Sequence, residues 1–220
     1  MKHIIFDCDG VLIDTEIVAA EVTVDWLNSE KVNISVEEFI LEHTGKTFTN
    51  IINQLKADGY LKAGLKTEAI VPLLDDQIKA RVRPILGVSD LLNRISIPKS
   101  VVSNSAVGYV AEALEKIGVS HHFENRVFSA EMVAFAKPSP MVYQLAVDTI
   151  QIPKEEIIVV EDSYTGVQAA LAAGLTTIGF LGGSHIRSGH GEKLKQLGVF
   201  DLAHSHEELA KKLNGINQQY

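Results

Sequence analysis

Two carboxylates one residue apart, Asp7 and Asp9, end an apolar run that begins at His3. Gly10 follows at once, in the stretch KHIIFDCDGVLIDTE. Charges that close repel unless a cation or a shared proton offsets them. Further groups of chemical use follow later: Ser103 and Asn104 in KSVVSNS, Lys137 in FAKPSP, and Glu161 with Asp162 in EIIVVEDS. Together these residue types suit phosphoryl transfer. A carboxylate can attack phosphorus and divide one difficult step into two. Nucleophile and phosphate are both anionic, so a divalent cation with oxygen ligands is needed, and Mg2+ fits that description. Serine and lysine can hold the remaining phosphoryl oxygens. A second acid can protonate the leaving oxygen and then deprotonate a water.

The elements that must position these groups are legible from periodicity. His3–Phe6 reads as a buried strand, and so do KSVVS, the weaker RVFSA, EIIVVE and TTIGF. Helical patterns lie between them: AVGYVAEALEKIG with Gly118 at its C′ position, SPMVYQLAVDTI with Pro140 near its first turn, and SYTGVQAALAAG. Strand and helix alternate from about residue 84, which predicts an α/β, Rossmann-like, doubly wound parallel sheet. In such sheets ligands bind beyond the carboxyl ends of the strands. Asp7, Asp9, Ser103, Lys137, Glu161 and Asp162 all fall at those ends, so one sheet edge would gather four acids, a hydroxyl and a lysine.

Between the first strand and the rest, residues 15–82 are nearly all helical, in four segments. Val18, Val22 and Trp26 recur at i, i+4 in the first. Ser35 and Glu38 form a capping box before the second. TNIINQLKADG is the third, and KTEAIVPLLDDQIKARV, interrupted at Pro72, the fourth. The expected organisation is an α/β core of 1–14 and 83–220 with an inserted four-helix domain of 15–82. A last helix, SHEELAKKL, carries a second capping box in Ser205 and Glu208.

Composition narrows the function classes. The 220 residues carry a formal charge of −8, which argues against a nucleic-acid surface but leaves anionic small molecules open. Apolar residues make up 46%, enough for a substantial core. Cys8 is the one cysteine, so no internal disulfide can form. Its position between the acids points it away from them, into packing. The first apolar run is broken too early for a signal peptide. No segment reaches the ~18 apolar residues of a membrane span. A soluble, cytoplasmic protein without an obligate protein partner is expected.

In order, DCDGVLIDTE, VVSNS, AKPSP and VVEDSYTG resemble the four motifs of the haloacid dehalogenase-like superfamily, and the similarity covers essentially the whole chain. The helical insert is similar to the cap of the branch containing β-phosphoglucomutase and small-metabolite phosphatases. The resemblance implies that Asp7 is the nucleophile and Asp9 the general acid/base. Asp9 would also offer a main-chain carbonyl to magnesium. Ser103 and Lys137, with Asn104 beside them, would bind the phosphoryl group. Asp162 would join Asp7 as a metal ligand, with Glu161 as a neighbour or water-mediated ligand. Gly10 and the turn after it resemble the hinge of the cap. Thr44, Gly45 and Lys46 would meet the leaving group from a cap loop. Asp9 argues against dehalogenation and phosphonate cleavage, whose family members lack that second acid. Ala19 stands where the mutase branch carries histidine. A magnesium-dependent hydrolase of a small phosphomonoester, a sugar or sugar-acid phosphate, is therefore the leading expectation. A phosphosugar mutase and a non-catalytic phospho-accepting or partner-binding module are the alternatives. In GGSHIRSGH, His185 and His190 are too few for a zinc site, and the segment is expected as a flexible loop at the site mouth after the last core strand. His121, His122, His204 and His206 are expected at the surface or in turns, and Trp26 in packing.

Overall fold

Strand β1, His3–Phe6, buries all four of its residues. Only a strand covered on both faces can be so uniformly buried. The computed structural model describes residues 1–43, 48–62, 64–124 and 126–218. In it β1 is flanked by β2 (Lys99–Ser103) and β4 (Ile157–Glu161), with β3 (Val127–Ser129) outside β2. Beyond β4 lie β5 (Thr176–Phe180) and β6 (Asp201–Ala203). The six-stranded order β3-β2-β1-β4-β5-β6 is parallel throughout. Phe6 is in register with Val101 on one side and Val160 on the other. The chain winds outward from β1 through β2 and β3, then returns to β4 on its other side. That reversal opens a crevice at the carboxyl ends of β1 and β4.

Helices α1 (Thr15–Ser29), α2 (Val36–His43), α3 (Phe48–Ala57) and α4 (Thr67–Arg81) follow β1. Later come α5 (Val88–Arg94), α6 (Val107–Lys116), α7 (Met141–Ile150), α8 (Tyr164–Ala172), α9 (His190–Leu197) and α10 (His206–Gln218). The chain divides into two compact units, Met1–Asp14 with Arg83–Tyr220, and Thr15–Val82. Among the described residues no helix is long and apolar enough to cross a membrane.

In the α/β unit, Ala169 and Ala170 of α8 pack with Val142, Tyr143 and Ala146 of α7 and with Ile5, Val102 and Val159 of the sheet. The small α8 side chains let it lie close to its neighbours. In the helical unit α1 buries two faces. Val18 and Val22 meet Ile70 and Leu74 of α4. Ala20, Val24 and Leu27 join Phe39, Ile51, Ile52 and Leu55. Trp26 packs edge-on to Phe48, with ring centroids 5.9 Å apart.

The capping boxes differ. Ser35 N–H donates to Glu38 Oε2 at 2.9 Å and Glu38 N–H to Ser35 Oγ at 3.2 Å, so both orphan donors are satisfied. At α10, Glu208 N–H donates to Ser205 Oγ at 3.1 Å, but the Glu208 carboxylate accepts from the His204 N–H at 2.9 Å instead.

Four expectations change. Pro72 does not interrupt α4; one missing N–H removes a single intrahelical bond from a helix otherwise intact. TTIGF is not the last strand, because β6 adds a parallel edge beyond it. Helices α5 and α9 also emerge, each short or mostly polar. His206 is buried, not superficial: Nδ1 lies 2.9 Å from the Leu86 carbonyl and the ring stacks on Phe180. Cys8 is fully buried, as alternation requires, and burial pushes its thiol well up.

Candidate active site

Asp7 is the first residue beyond β1, and its N–H donates to the Val160 carbonyl at 2.9 Å, continuing the sheet pairing by one step. The chain then folds back: Gly10 N–H reaches Ile13 O at 2.8 Å, and the Leu12 and Ile13 N–H groups converge on Cys8 O. Gly10 adopts φ 82°, and a Cβ there would overlap the Asp162 carboxylate. No other residue type satisfies both the left-handed backbone and that close approach.

Lys137 lies between β3 and α7, and its ammonium enters the protein. Nζ donates to Asp7 Oδ1 at 2.5 Å, Glu161 Oε1 at 2.8 Å and Val102 O at 3.0 Å. Its three protons are thus used, and the charge also sits 5.0 Å from the Tyr143 ring centroid. The Lys137 main chain is held in turn. Its N–H donates to Asn104 Oδ1 at 2.9 Å, and Asn104 Nδ2 donates to its carbonyl at 3.3 Å. The Asn104 amide is therefore turned towards the Lys137 backbone.

Glu161, the last residue of β4, is fully buried and fully engaged. Oε1 takes Lys137 and, at 3.4 Å, the Tyr143 hydroxyl. Oε2 accepts from the Ser163 N–H and hydroxyl at 2.8 and 3.0 Å. A Cβ at Gly166 would overlap this carboxylate, so the first turn of α8 presses directly on it.

Asp162 contrasts with its neighbour. His185 Nε2 donates to Oδ2 at 2.8 Å, while Oδ1 is buried with no hydrogen-bond partner among the described residues. His190 Nε2 donates to the Asp162 carbonyl at 2.6 Å. On the other flank, Asp9 Oδ2 accepts from Ser105 Oγ at 2.8 Å and Ser103 Oγ at 3.3 Å.

The site is electrostatically unfinished. The carboxylates of Asp7, Glu161 and Asp162 lie with ligand atoms within 4.8 Å of one another. Lys137 bonds only two of them. Burial drives the Asp7 carboxyl well above its ordinary range, against the pull of Lys137, and the other acids add to the rise. Burial likewise raises Asp162, opposed by the hydrogen bond from His185. Burial disfavours the Lys137 charge, but Asp7 and Glu161 overcome it and hold the ammonium well above the usual lysine value. One ammonium among three buried carboxylates leaves room for a divalent cation. The unpartnered Asp162 Oδ1 is a donor atom that such a cation would satisfy, and an all-oxygen set suits Mg2+.

Asp7, Lys137, Glu161 and Asp162 thus converge in one buried cluster, with Ser103 and Asp9 bonded beside it. Thr44, Gly45 and Lys46 lie outside the described residues. Three participants were not singled out for a role: Ser105, His185 and His190. Ser105 had a signal, since it stands two residues beyond Ser103 in the same strand-end turn. The histidines had only a placement, in a segment expected at the site mouth, because their partner Asp162 is distant in sequence.

Comparison with known proteins agrees with this architecture. Residues 4–180 match the haloacid dehalogenase-like hydrolase family. A 6-phosphogluconate phosphatase of Escherichia coli is 27% identical over 192 residues, 84% of this chain and 85% of that protein. A fructose-1-phosphate phosphatase of Escherichia coli is 26% identical, covering 80% of this chain and 94% of that protein. A solved haloacid dehalogenase-like protein of unknown function from Agrobacterium tumefaciens superposes with TM-score 0.81 at 32% identity, over 99% of both chains. The parallel sheet, the acids at its carboxyl edge and a match spanning most of the sequence make this chain a member of the haloacid dehalogenase-like hydrolases.

Proposed function

We propose that the chain is a magnesium-dependent phosphatase of a small phosphorylated metabolite, a sugar or sugar-acid phosphate, acting through an aspartyl-phosphate. The observation that carries this reading is the buried cluster of Asp7, Glu161 and Asp162, neutralised only in part by Lys137 and with Asp162 Oδ1 unpartnered. Two relatives that are phosphatases of a sugar-acid phosphate and a sugar phosphate support the substrate class.

In this mechanism an Asp7 carboxylate oxygen attacks phosphorus, and the bond from phosphorus to the leaving oxygen breaks. Asp9 gives its proton to that oxygen and the alcohol departs. Asp9, now ionised, takes a proton from water. The water oxygen attacks the phosphorus of the aspartyl-phosphate, which restores Asp7 and releases phosphate. Lys137 lowers the cost of ionising Asp7 and, with Ser103, offers charge and a donor to the phosphoryl oxygens. Asn104 acts through Lys137, whose main chain it holds. Asp7 and Asp162, with the Asp9 carbonyl, would hold Mg2+. When bound, the ion offsets the charge between nucleophile and phosphate. Glu161 serves as the counter-ion that fixes Lys137, since both its oxygens are already engaged.

The helical unit Thr15–Val82 is read as a cap, with Thr44, Gly45 and Lys46 contributing to leaving-group recognition. An insert of about 65 residues suits enclosure of a small substrate. Phosphate release from a panel of sugar and sugar-acid phosphates, with Mg2+ and with EDTA, tests the proposal. Release lost in EDTA and in Asp7→Asn supports it; no release from any compound by folded protein with Mg2+ opposes it.

A further inference from the structure

Asp162 is gripped from two sides by one stretch of chain. His185 Nε2 donates to its side-chain Oδ2 at 2.8 Å. His190 Nε2 donates to its main-chain oxygen at 2.6 Å, across a separation of 28 residues. The stretch carrying both histidines is itself tied down, because Ser184 Oγ donates to Asp14 Oδ1 at 2.6 Å. It also lies close over the turn after β1. A Cβ added at Gly183 would come within 2.7 Å of the His185 ring and 3.0 Å of the Gly10 carbonyl.

This arrangement does something specific to the carboxylate. An aspartate with two free oxygens can rotate and must lose that freedom when it binds a cation. With Oδ2 committed to an imidazole N–H, Oδ1 alone is left over, buried and without a partner among the described residues. Such outer-shell partners orient a metal ligand and are worth about ten- to a hundredfold in affinity. We infer that His185 is a positioning residue: it turns the Asp162 carboxylate so that Oδ1 is presented to the cation, while His190 fixes the main chain of the same residue. The inference rests on the metal reading proposed above and deepens it, giving the 182–190 segment a task within that site.

The test is calorimetric titration of Mg2+ into metal-free protein, which needs no turnover. Wild type, His185→Ala, His185→Gln and Asp162→Asn are compared, each checked by circular dichroism. Wild type binds, Asp162→Asn does not, and His185→Ala binds about ten- to a hundredfold more weakly. His185→Gln recovers most of the loss, because its amide N–H can donate to the same oxygen. The Mg2+ concentration for half-maximal phosphate release rises in step. If His185→Ala does not fold, His185→Asn replaces it, its shorter amide falling short of Oδ2. Binding by His185→Ala within about twofold of wild type, or tighter than wild type, overturns the inference while leaving the metal reading intact. Failure of wild type to bind Mg2+ overturns both.

Discussion

Glu161 and Asp162 are adjacent in sequence and differ in almost everything that matters. Glu161 closes β4 and meets Lys137, Tyr143 and Ser163, so both its oxygens are satisfied within the protein. Asp162 lies one residue beyond, beside His185 and His190, and keeps one oxygen buried and unpartnered. Their oxygens come within 4.8 Å of one another, but Lys137 bonds Glu161 and His185 bonds Asp162. One therefore falls on the lysine side of the site, where charge is compensated, and the other on the side where it is not. The lesson concerns how a fold keeps buried acids. A self-satisfied carboxylate is part of the architecture, whereas an unsatisfied one carries a desolvation cost that a bound cation would relieve.

Substitutions can break this contrast, and the largest effect is expected at the residue both sides share. Asp7→Asn would remove the proposed nucleophile and should lower phosphate release about a thousandfold or more, read by steady-state kinetics. Next is the lysine side. Lys137→Met leaves Asp7 and Glu161 buried without their cation, and denaturant unfolding should show a loss of about 3–5 kcal/mol. Adding Glu161→Gln to that variant should recover part of the loss.

Asp162→Asn should behave in the opposite way. In EDTA it unfolds within about 1 kcal/mol of wild type, because no internal cation is orphaned and His185 can still donate to the amide oxygen. In excess Mg2+ the two separate: wild type gains about 2.7 kcal/mol at a hundredfold excess over Kd, and Asp162→Asn gains nothing. A stability loss in EDTA comparable to that of Lys137→Met would erase the distinction.

The far end of β1 supplies a control. His3 is buried with Nε2 3.0 Å from Ser100 Oγ, and burial first, then Arg126 and Lys99, lowers its pKa to about 4. The ordinary value is 6.5, so between these limits the unfolded chain binds more protons than the folded one. Stability attributable to neutral His3 is intact above pH 6.5, falls as pH drops through the window, and is gone below about 4. In His3→Asn that part of the pH dependence of unfolding should flatten. Smallest is Ser35→Ala, which removes one half of the α2 capping box for about 1 kcal/mol. Per-site Mg2+ affinity should not change.

What could be read from the sequence follows from how local each signal is. Strands β1, β2 and β4 announce themselves as short buried apolar runs, and the doubly wound sheet follows from their alternation with helices. Asp7, Asp9, Ser103, Lys137 and Asp162 could be placed together because each ends or follows a strand, and parallel strands bring their carboxyl ends to one edge. β6 escaped notice because Asp201–Ala203 has too few residues to show a period. α9 escaped because Gly191 and Leu194 are its only buried positions. The histidine grip on Asp162 is a purely tertiary contact. No spacing rule links residue 162 to 185 or 190, and a histidine between glycines and serines reads as an ordinary loop. His206 misled for a related reason, since its burial depends on Phe180 and the Leu86 carbonyl, both remote in the chain.

The central claim is that the unpaired side of this site exists to hold a cation for phosphoryl transfer. The direct measurement is phosphate release by wild type from 6-phosphogluconate, fructose 1-phosphate and related compounds, titrated with Mg2+, with Asp7→Asn alongside. The account predicts release from at least one compound that saturates with Mg2+, vanishes in EDTA and is absent in Asp7→Asn. Release that persists in EDTA, or that survives in Asp7→Asn, would contradict it.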